Sequence, residues 1–348
     1  MQAFPGRINY MHPDLLAQAC RLFQTSPDML VPLFGGHYNA VYRYPLDLSP
    51  QSKRASDNPG FGVMRIGVED CPPEQTLGML DWVHYLSEHG APVAPPIASS
   101  CGRYLEHLER GTTSYTVTAF EEAEGVLAER IPPEQWSDEL FSAIGRAVGT
   151  FHTVSKGYRP SQPPYTRPQW FNSFEIRDAL TRLTTVSHPA LIKLTDIINE
   201  LQQLPARSSE FGLIHGDLHF ANFLVQPGGE VTIIDFDDCA YGWFAMDVAM
   251  ALFDVLVLYG AEAEEEQQAF TKRFMRCYLA GYRSENALLE DWLAQIPRFL
   301  KLKEICVYAP LIGHPDISLP DTWVGRFMNG REERITNDLA YVDLEFTQ

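Results

Sequence analysis

The sequence predicts an α+β chain in which a strand-rich N-terminal part precedes a mostly helical C-terminal part. Three observations carry that expectation. Short apolar runs bounded by Gly, Pro and polar residues cluster between Val31 and Phe120. Beyond Glu134, apolar residues recur at helical spacing. Inside the helical part lies one hairpin signal, the runs Phe223–Val225 and Val231–Ile234 closed by Pro227-Gly228-Gly229.

Taken in order, Pro13–Gln24 sets Leu15, Leu16, Ala19, Leu22 and Phe23 on one helical face, with a proline near the first turn. Val31–Tyr44 reads as strand, Gly35-Gly36 turn and strand, and the polar stretch Gln51–Gly60 as a surface loop. Phe61–Ile66 is a third strand and Pro73–His89 a helix. The Pro-rich Ala91–Ile97 is an extended connector to two more strands, Arg103–Leu108 and Ser114–Phe120. The second of these runs into Glu121-Glu122-Ala123-Glu124-Gly125.

From there the chain turns helical. Glu134–Ser155 carries Trp136, Leu140, Phe141, Ile144, Val148 and Phe151 as an amphipathic stripe, and His152 at its end reads as a hydrogen-bonded core residue rather than a ligand. Lys156–Pro168 is loop, and Trp170–Leu204 is helical with a break at His188-Pro189. Ala245–Leu258 is the most apolar stretch, but it is short and holds Asp247 and Asp254, which marks a buried core helix and not a membrane span. The remainder is mostly helix.

Composition narrows the classes of function. An apolar fraction of 45% and a charged fraction of 21% are those of an ordinary globular protein. The formal net charge of −18 repels phosphate backbones and argues against nucleic acid as a partner, while suiting a cationic substrate. The six cysteines are scattered without a C-x-x-C pair, so no metal or redox framework is read from them. Met1–Arg7 has no apolar run of signal-peptide type, and the expectation is a cytoplasmic protein with no membrane partner.

The chemistry concentrates in Leu213–Asp247. Pairing the hairpin about Gly228 sets Asn222 beside Ile234 and Asp235, so two oxygen donors share one hairpin end, next to the loop that holds Asp217. Asn222 and Asp235 suit Mg²⁺, which takes one or two carboxylates together with phosphate oxygens. Asp217, just upstream, is placed to orient a substrate hydroxyl or accept its proton, and the set reads as a phosphoryl-transfer site.

His215-Gly216-Asp217-Leu218-His219-x-x-Asn222, followed by Ile234-Asp235-Phe236, resembles the aminoglycoside phosphotransferase and choline kinase-like family, relatives of the protein kinases. The resemblance implies a bilobal kinase-like fold, with an N-terminal nucleotide-binding lobe over residues 1–123 and a helical lobe over 124–348. It implies Asp217 as catalytic base and Asn222 and Asp235 as metal ligands, with ATP and Mg²⁺ as cofactors. Gly35 and Gly36 would lie in the loop over the nucleotide phosphates, and Phe120 and Glu122 at the hinge that meets adenine. Arg65 stands where the related kinases carry a phosphate-binding lysine, with Glu74 as the first choice of acidic partner and Asp81 as the second. Gly242–Asp247 matches the family's Gly-x-x-x-x-Asp, making Asp247 a buried brace of the catalytic loop, and His215 is likewise a supporting residue.

Two details favour a small acceptor. Gly216 replaces the arginine with which many protein kinases pair an activating phosphate. Only eleven residues (236–246) separate Asp235 from Asp247, too few for a peptide-binding activation segment. The expected activity is transfer of the ATP γ-phosphate to a hydroxyl of a small molecule. The alternatives are a stress-response-type protein Ser/Thr kinase, a homoserine kinase-like enzyme of amino-acid metabolism, and a silent kinase-like nucleotide-binding protein. Asp237 and Asp238 are open between attracting a cationic acceptor, holding a second Mg²⁺ and capping a helix.

Overall fold

The computed structural model describes residues 11–33, 39–46, 60–260 and 263–342. Gly35, Gly36 and nearly all of the loop expected at Gln51–Gly60 lie outside the described residues. Two compact units are present, one formed by the chain up to Glu124 with Arg159–Thr166, the other by Gly125–Tyr158 with the chain from Arg167 onward. Among the described residues no helix is long and apolar enough to cross a membrane.

The first unit is a helix-backed antiparallel sheet. It comprises α1 (Pro13–Leu22), β1 (Val31–Leu33), β2 (Ala40–Pro45), β3 (Phe61–Val68), α2 (Pro73–Glu88), β4 (Glu106–Arg110) and β5 (Thr113–Glu121). The spatial order is β1-β2-β3-β5-β4. Alternation along β2 and β3 turns Ala40, Tyr42, Tyr44, Met64 and Ile66 to one face, where Leu15, Ala19 and Phe23 of α1 close over them. The opposite parity leaves Arg65 on the other face, opposite Val41 and Thr118. The strand expected from Arg103 begins three residues later. Buried Glu106 takes the Ser99 hydroxyl at 2.5 Å and Arg103 Nη2 at 2.6 Å, and the Ser99 N–H donates to the Arg103 carbonyl at 2.8 Å. Those bonds curl residues 99–103 into a turn.

The second unit opens with β6 (Val126–Leu127) and continues with α3 (Asp138–Ser155), α4 (Phe174–Thr185) and α5 (Ala190–Leu201). The helix read from Glu134 starts at Asp138, because Ser137 Oγ caps the Leu140 N–H at 3.2 Å while Pro133–Gln135 forms a separate 3₁₀ turn. Four short strands follow: β7 (Phe211–Ile214), β8 (Phe223–Val225), β9 (Val231–Ile233) and β10 (Ala240–Trp243). β8 and β9 pair Phe223 with Ile233 and Val225 with Val231, and β6 joins the far side of β8. β10 returns antiparallel to β7, with Ala240 opposite Ile214. α6 (Phe244–Tyr259), α7 (Glu264–Arg283), α8 (Glu290–Leu293) and α9 (Ile296–Leu311) complete the main frame, before two short helices at Trp323–Met328 and Arg331–Thr336.

α3 and α7 approach closely because each presents glycine at the crossing. A Cβ on Gly145 would collide with the Tyr278 carbonyl, and one on Gly281 with the Ser142 carbonyl. This contact fixes α3, whose last turn carries His152. Substituting Gly145 by Val therefore forces two backbones apart, and overpacking of this kind costs about 1–3 kcal/mol or more. Urea unfolding of Gly145→Val is expected to show a lowered midpoint at an unchanged slope.

Candidate active site

Ile214 ends β7 and the chain then wraps into the loop 215–222 before β8 begins. The loop is held mainly by its own polar groups and by carboxylates from α6. Asp247, in the first turn of α6, has no exposed surface and accepts the His215 N–H at 2.8 Å and the Gly216 N–H at 3.0 Å. Its Oδ2 also receives His152 Nε2 at 3.0 Å. Behind it, the Asn286 amide donates to the Tyr282 hydroxyl at 2.8 Å, and that hydroxyl lies 2.9 Å from His152 Nδ1. Burial holds the His152 pKa below its ordinary value, against the raising effect of Asp247, which leaves a neutral ring as donor from Nε2 and acceptor at Nδ1. Asp254, two turns further along the same face of α6, accepts the Phe220 N–H at 2.7 Å.

His215 is fully buried between two backbone groups: its Nε2 lies 2.9 Å from the Ile234 carbonyl, and its Nδ1 accepts the Asp217 N–H at 3.3 Å. It thereby ties the 215–222 loop to the residue before Asp235. Gly216 sits at φ 84°, and a Cβ there would strike the Asp238 carbonyl. Glycine at this position is thus required by the backbone itself, a reason additional to the missing arginine of the protein kinases.

Asn222 is buried, and its Nδ2 donates to the Asp217 carbonyl at 2.9 Å and lies 3.2 Å from His219 Nε2. The Ile234 N–H donates to the Asn222 carbonyl at 3.0 Å, so Asn222 and Asp235 adjoin at one end of the hairpin, as the register reading expected. Asp235 is exposed and adopts φ 65°, a left-handed conformation that Asp tolerates better than most residues but that still costs on the order of 1 kcal/mol. Among the described residues no group of three or more His, Cys, Asp and Glu side chains is arranged to hold a metal ion. One carboxylate and one amide oxygen fit a hard divalent ion only if phosphate oxygens or water complete its shell.

Asp217 is gripped from two sides. His219 Nε2 lies 3.2 Å from Oδ2, and Lys303 Nζ, from α9, lies 3.2 Å from Oδ1. Lys303 also donates to Glu175 Oε1 at 2.7 Å; Glu175 occupies the first turn of α4, where Ser173 is the N-cap. Burial alone would raise the Asp217 carboxyl, but His219 and Lys303 outweigh it and hold the group far below the usual carboxylate range. Burial works against the Lys303 ammonium too, and Glu175 and Asp217 reverse it, lifting Lys303 above its ordinary value. Asp238 is exposed, and its carboxyl is pushed up by crowding within the site and by the neighbouring Asp217, Glu175 and Asp237 charges. Asp237 and Asp238 form a turn before β10 and cap no helix, which removes one of the readings left open for them.

In the first unit, Arg65 lies with its guanidinium carbon 6.0 Å from the Phe120 ring centroid. Glu74, its first-choice partner, is exposed in the first turn of α2, and Asp81 accepts the Ser161 N–H at 2.9 Å. Glu122 pairs its carboxylate with Arg43 Nε at 2.7 Å and donates its N–H to the Phe61 carbonyl at 2.9 Å. Sequence reasoning did not single out Lys303, Glu175, His219 or Asp254. Lys303 leaves a faint trace in the sequence, as a lysine in the apolar run Ile296–Leu311 that shares a helix face with Leu300 and Cys306.

Known proteins resemble this chain in sequence and fold. The family model described as the phosphotransferase enzyme family matches residues 47–288. An amicoumacin kinase of Bacillus subtilis (strain 168) is 32% identical over 237 residues, 68% of each chain. The solved structure of an amicoumacin kinase, hAmiN, in complex with AMP-PNP, Ca²⁺ and Ami superposes with a TM-score of 0.83 at 28% identity, covering 97% of this chain and 96% of that one. A microcompartment-associated aminopropanol kinase, at 21% identity and TM-score 0.64 over 93% of this chain and 98% of its own, shares the fold.

Removing the Asp247 carboxylate leaves three donors without their acceptor. At about 1–3 kcal/mol for each unsatisfied buried group, Asp247→Ala is expected to lose at least roughly 3 kcal/mol of stability. Urea denaturation measures this directly, and a midpoint unchanged from the parent protein would contradict the bracing role.

Proposed function

The chain belongs to the phosphotransferase enzyme family, and from that premise we propose that it transfers the γ-phosphoryl group of ATP to a hydroxyl of a small molecule. The observation that supports this reading most is the convergence of Asp217, Asn222 and Asp235 at one hairpin end, on a loop braced by Asp247. In this reading residues 1–123 supply the nucleotide contacts, and residues 124–348 supply Asp217, the metal ligands and the acceptor pocket. The 32% identical relative is named for amicoumacin, which makes amicoumacin the first acceptor to test.

Asp217 receives the acceptor hydroxyl. Phosphoryl transfer asks a protein mainly for positioning and charge neutralisation, so a carboxylate held ionised and oriented suits it better than a strong base. The hydroxyl proton passes to Asp217 late, as the new oxygen–phosphorus bond forms and the bond from the γ-phosphorus to the β,γ-bridging oxygen breaks, with ADP leaving. Asn222 Oδ1 and the Asp235 carboxylate would hold a divalent ion such as Mg²⁺, which would supply neutralisation of phosphate charge. Arg65 takes the place of the phosphate-binding lysine, its planar fork suiting two phosphate oxygens. At the strand end, Phe120 and Glu122 meet adenine, Glu122 through a backbone group other than its N–H, which donates to the Phe61 carbonyl.

ADP release in the presence of ATP and Mg²⁺, screened over amicoumacin, aminopropanol, aminoglycosides, choline and homoserine, is expected to rise above the no-acceptor rate for at least one of them. Asp217→Asn is nearly isosteric and leaves Asn222 and Asp235 in place. It is expected to lower that turnover about a hundredfold to ten-thousandfold while Mg-ATP affinity stays within a few-fold. Parallel loss of nucleotide binding would make Asp217 a metal ligand or fold support instead. Separately, calorimetry with AMP-PNP is expected to show binding that weakens when EDTA removes the metal; affinity indifferent to EDTA would count against Asn222 and Asp235 as ligands.

A further inference from the structure

Lys303 makes an arrangement that the reaction as described does not use. Its side chain is 13% exposed, deep enough that a lone ammonium would shed its proton or pull in water. It stays charged between two carboxylates, Glu175 Oε1 at 2.7 Å and Asp217 Oδ1 at 3.2 Å. Glu175 is itself anchored at the start of α4, whose free N–H groups favour a negative charge. A chain of hydrogen bonds therefore runs from Glu175 at the α4 N-terminus through Lys303 of α9 to one oxygen of Asp217. The other oxygen is met by His219 at 3.2 Å.

We propose that Lys303, backed by Glu175, is a positioning residue for phosphoryl transfer: with His219 it clamps the Asp217 carboxylate so that a remaining lone pair meets the acceptor hydroxyl. The inference rests on the role proposed above for Asp217. An ionised carboxylate offers about four acceptor sites, and two donors on opposite oxygens leave room for a hydroxyl while removing rotation about the Cβ–Cγ bond. The ion pairs are costly to maintain in a partly dry site, and a well-packed apolar residue in place of Lys303 would serve stability as well or better. Stability alone thus gives no reason for a lysine here, whereas a carboxylate that must hold one orientation does. Misplacing a reacting group by an ångström costs on the order of a hundredfold in rate.

The test is a double-mutant cycle read as turnover, using the acceptor that the screen selects, or water where ATP hydrolysis is the turnover observed. Lys303→Met is expected to lower kcat about 10- to 100-fold with the KM for ATP within roughly threefold, because the loss lies in orientation at the transition state and not in nucleotide binding. In the Asp217→Asn background the same change is expected to cost less than roughly threefold, since a residue acting through Asp217 has nothing left to position. An equal loss in both backgrounds would show that Lys303 acts independently of Asp217 and would overturn the proposal, as would an unchanged kcat in the single variant. Should Lys303→Met fail to fold, Glu175→Gln keeps the lysine and loosens its backing; a fall in kcat of about three- to tenfold at constant KM is expected, and no fall overturns the proposal. Asp217→Asn that retains full turnover defeats the reading of Asp217 itself. Loss in Asp217→Asn with full activity in Lys303→Met defeats this inference alone.

Discussion

One buried carboxylate, Asp247, holds the site together. It has no exposed surface, yet it accepts two consecutive backbone N–H groups, His215 and Gly216, and the His152 ring. A carboxylate enclosed this way is tolerated only because its lone pairs are satisfied by donors that have few other partners. The geometry then propagates. Fixing the N–H groups of His215 and Gly216 sets the direction in which the chain leaves β7, and hence where Asp217 stands. The His152 side of the same carboxylate ties the loop to α3, which is locked against α7 through the glycine contacts of Gly145 and Gly281.

Backbone strain is localised where the chemistry is expected. Gly216 at φ 84° and Asp235 at φ 65° flank the loop and the hairpin end. Neither position suits an ordinary L-residue, and both persist because neighbouring bonds over-determine them: Asp247 and His215 on one side, the Asn222–Ile234 bond on the other. Charge is arranged by the same principle. Lys303 and His219 outweigh the desolvation of Asp217, and Glu175 and Asp217 outweigh that of Lys303, while burial still lifts the Glu175 carboxyl above its ordinary value. The Asp217 side chain that results is ionised and oriented before any substrate arrives.

Much of this was legible in the linear chain. The hairpin register follows from pairing two short apolar runs about Gly228 in the Pro-Gly-Gly turn, so the adjacency of Asn222 and Ile234 is a consequence of local pattern. In β3 the face that separates Arg65 from the buried Met64 and Ile66 is supplied by the folded sheet, where burial alternates along the strand. Boundaries were less legible where side chains, not propensity, decide them. Glu106 bends residues 99–103 away from strand geometry, and Ser137 postpones the start of α3 to Asp138.

The sequence by itself determined the order of elements, the hairpin that brings two oxygen donors together, and the motif residues from His215 to Asp247, because each of these depends on contacts within a few residues or on a spacing that survives in one dimension. Tertiary structure alone decided what surrounds Asp217. Lys303 stands 86 residues away from it and Glu175 a further step along the same ion-pair chain, and nothing local links α4, α9 and the loop 215–222. Their meeting results from how two helices and a loop pack, and an ammonium's charge state follows from that enclosure. The conformation of Gly216 belongs to the same class, since only the folded chain brings the Asp238 carbonyl against it.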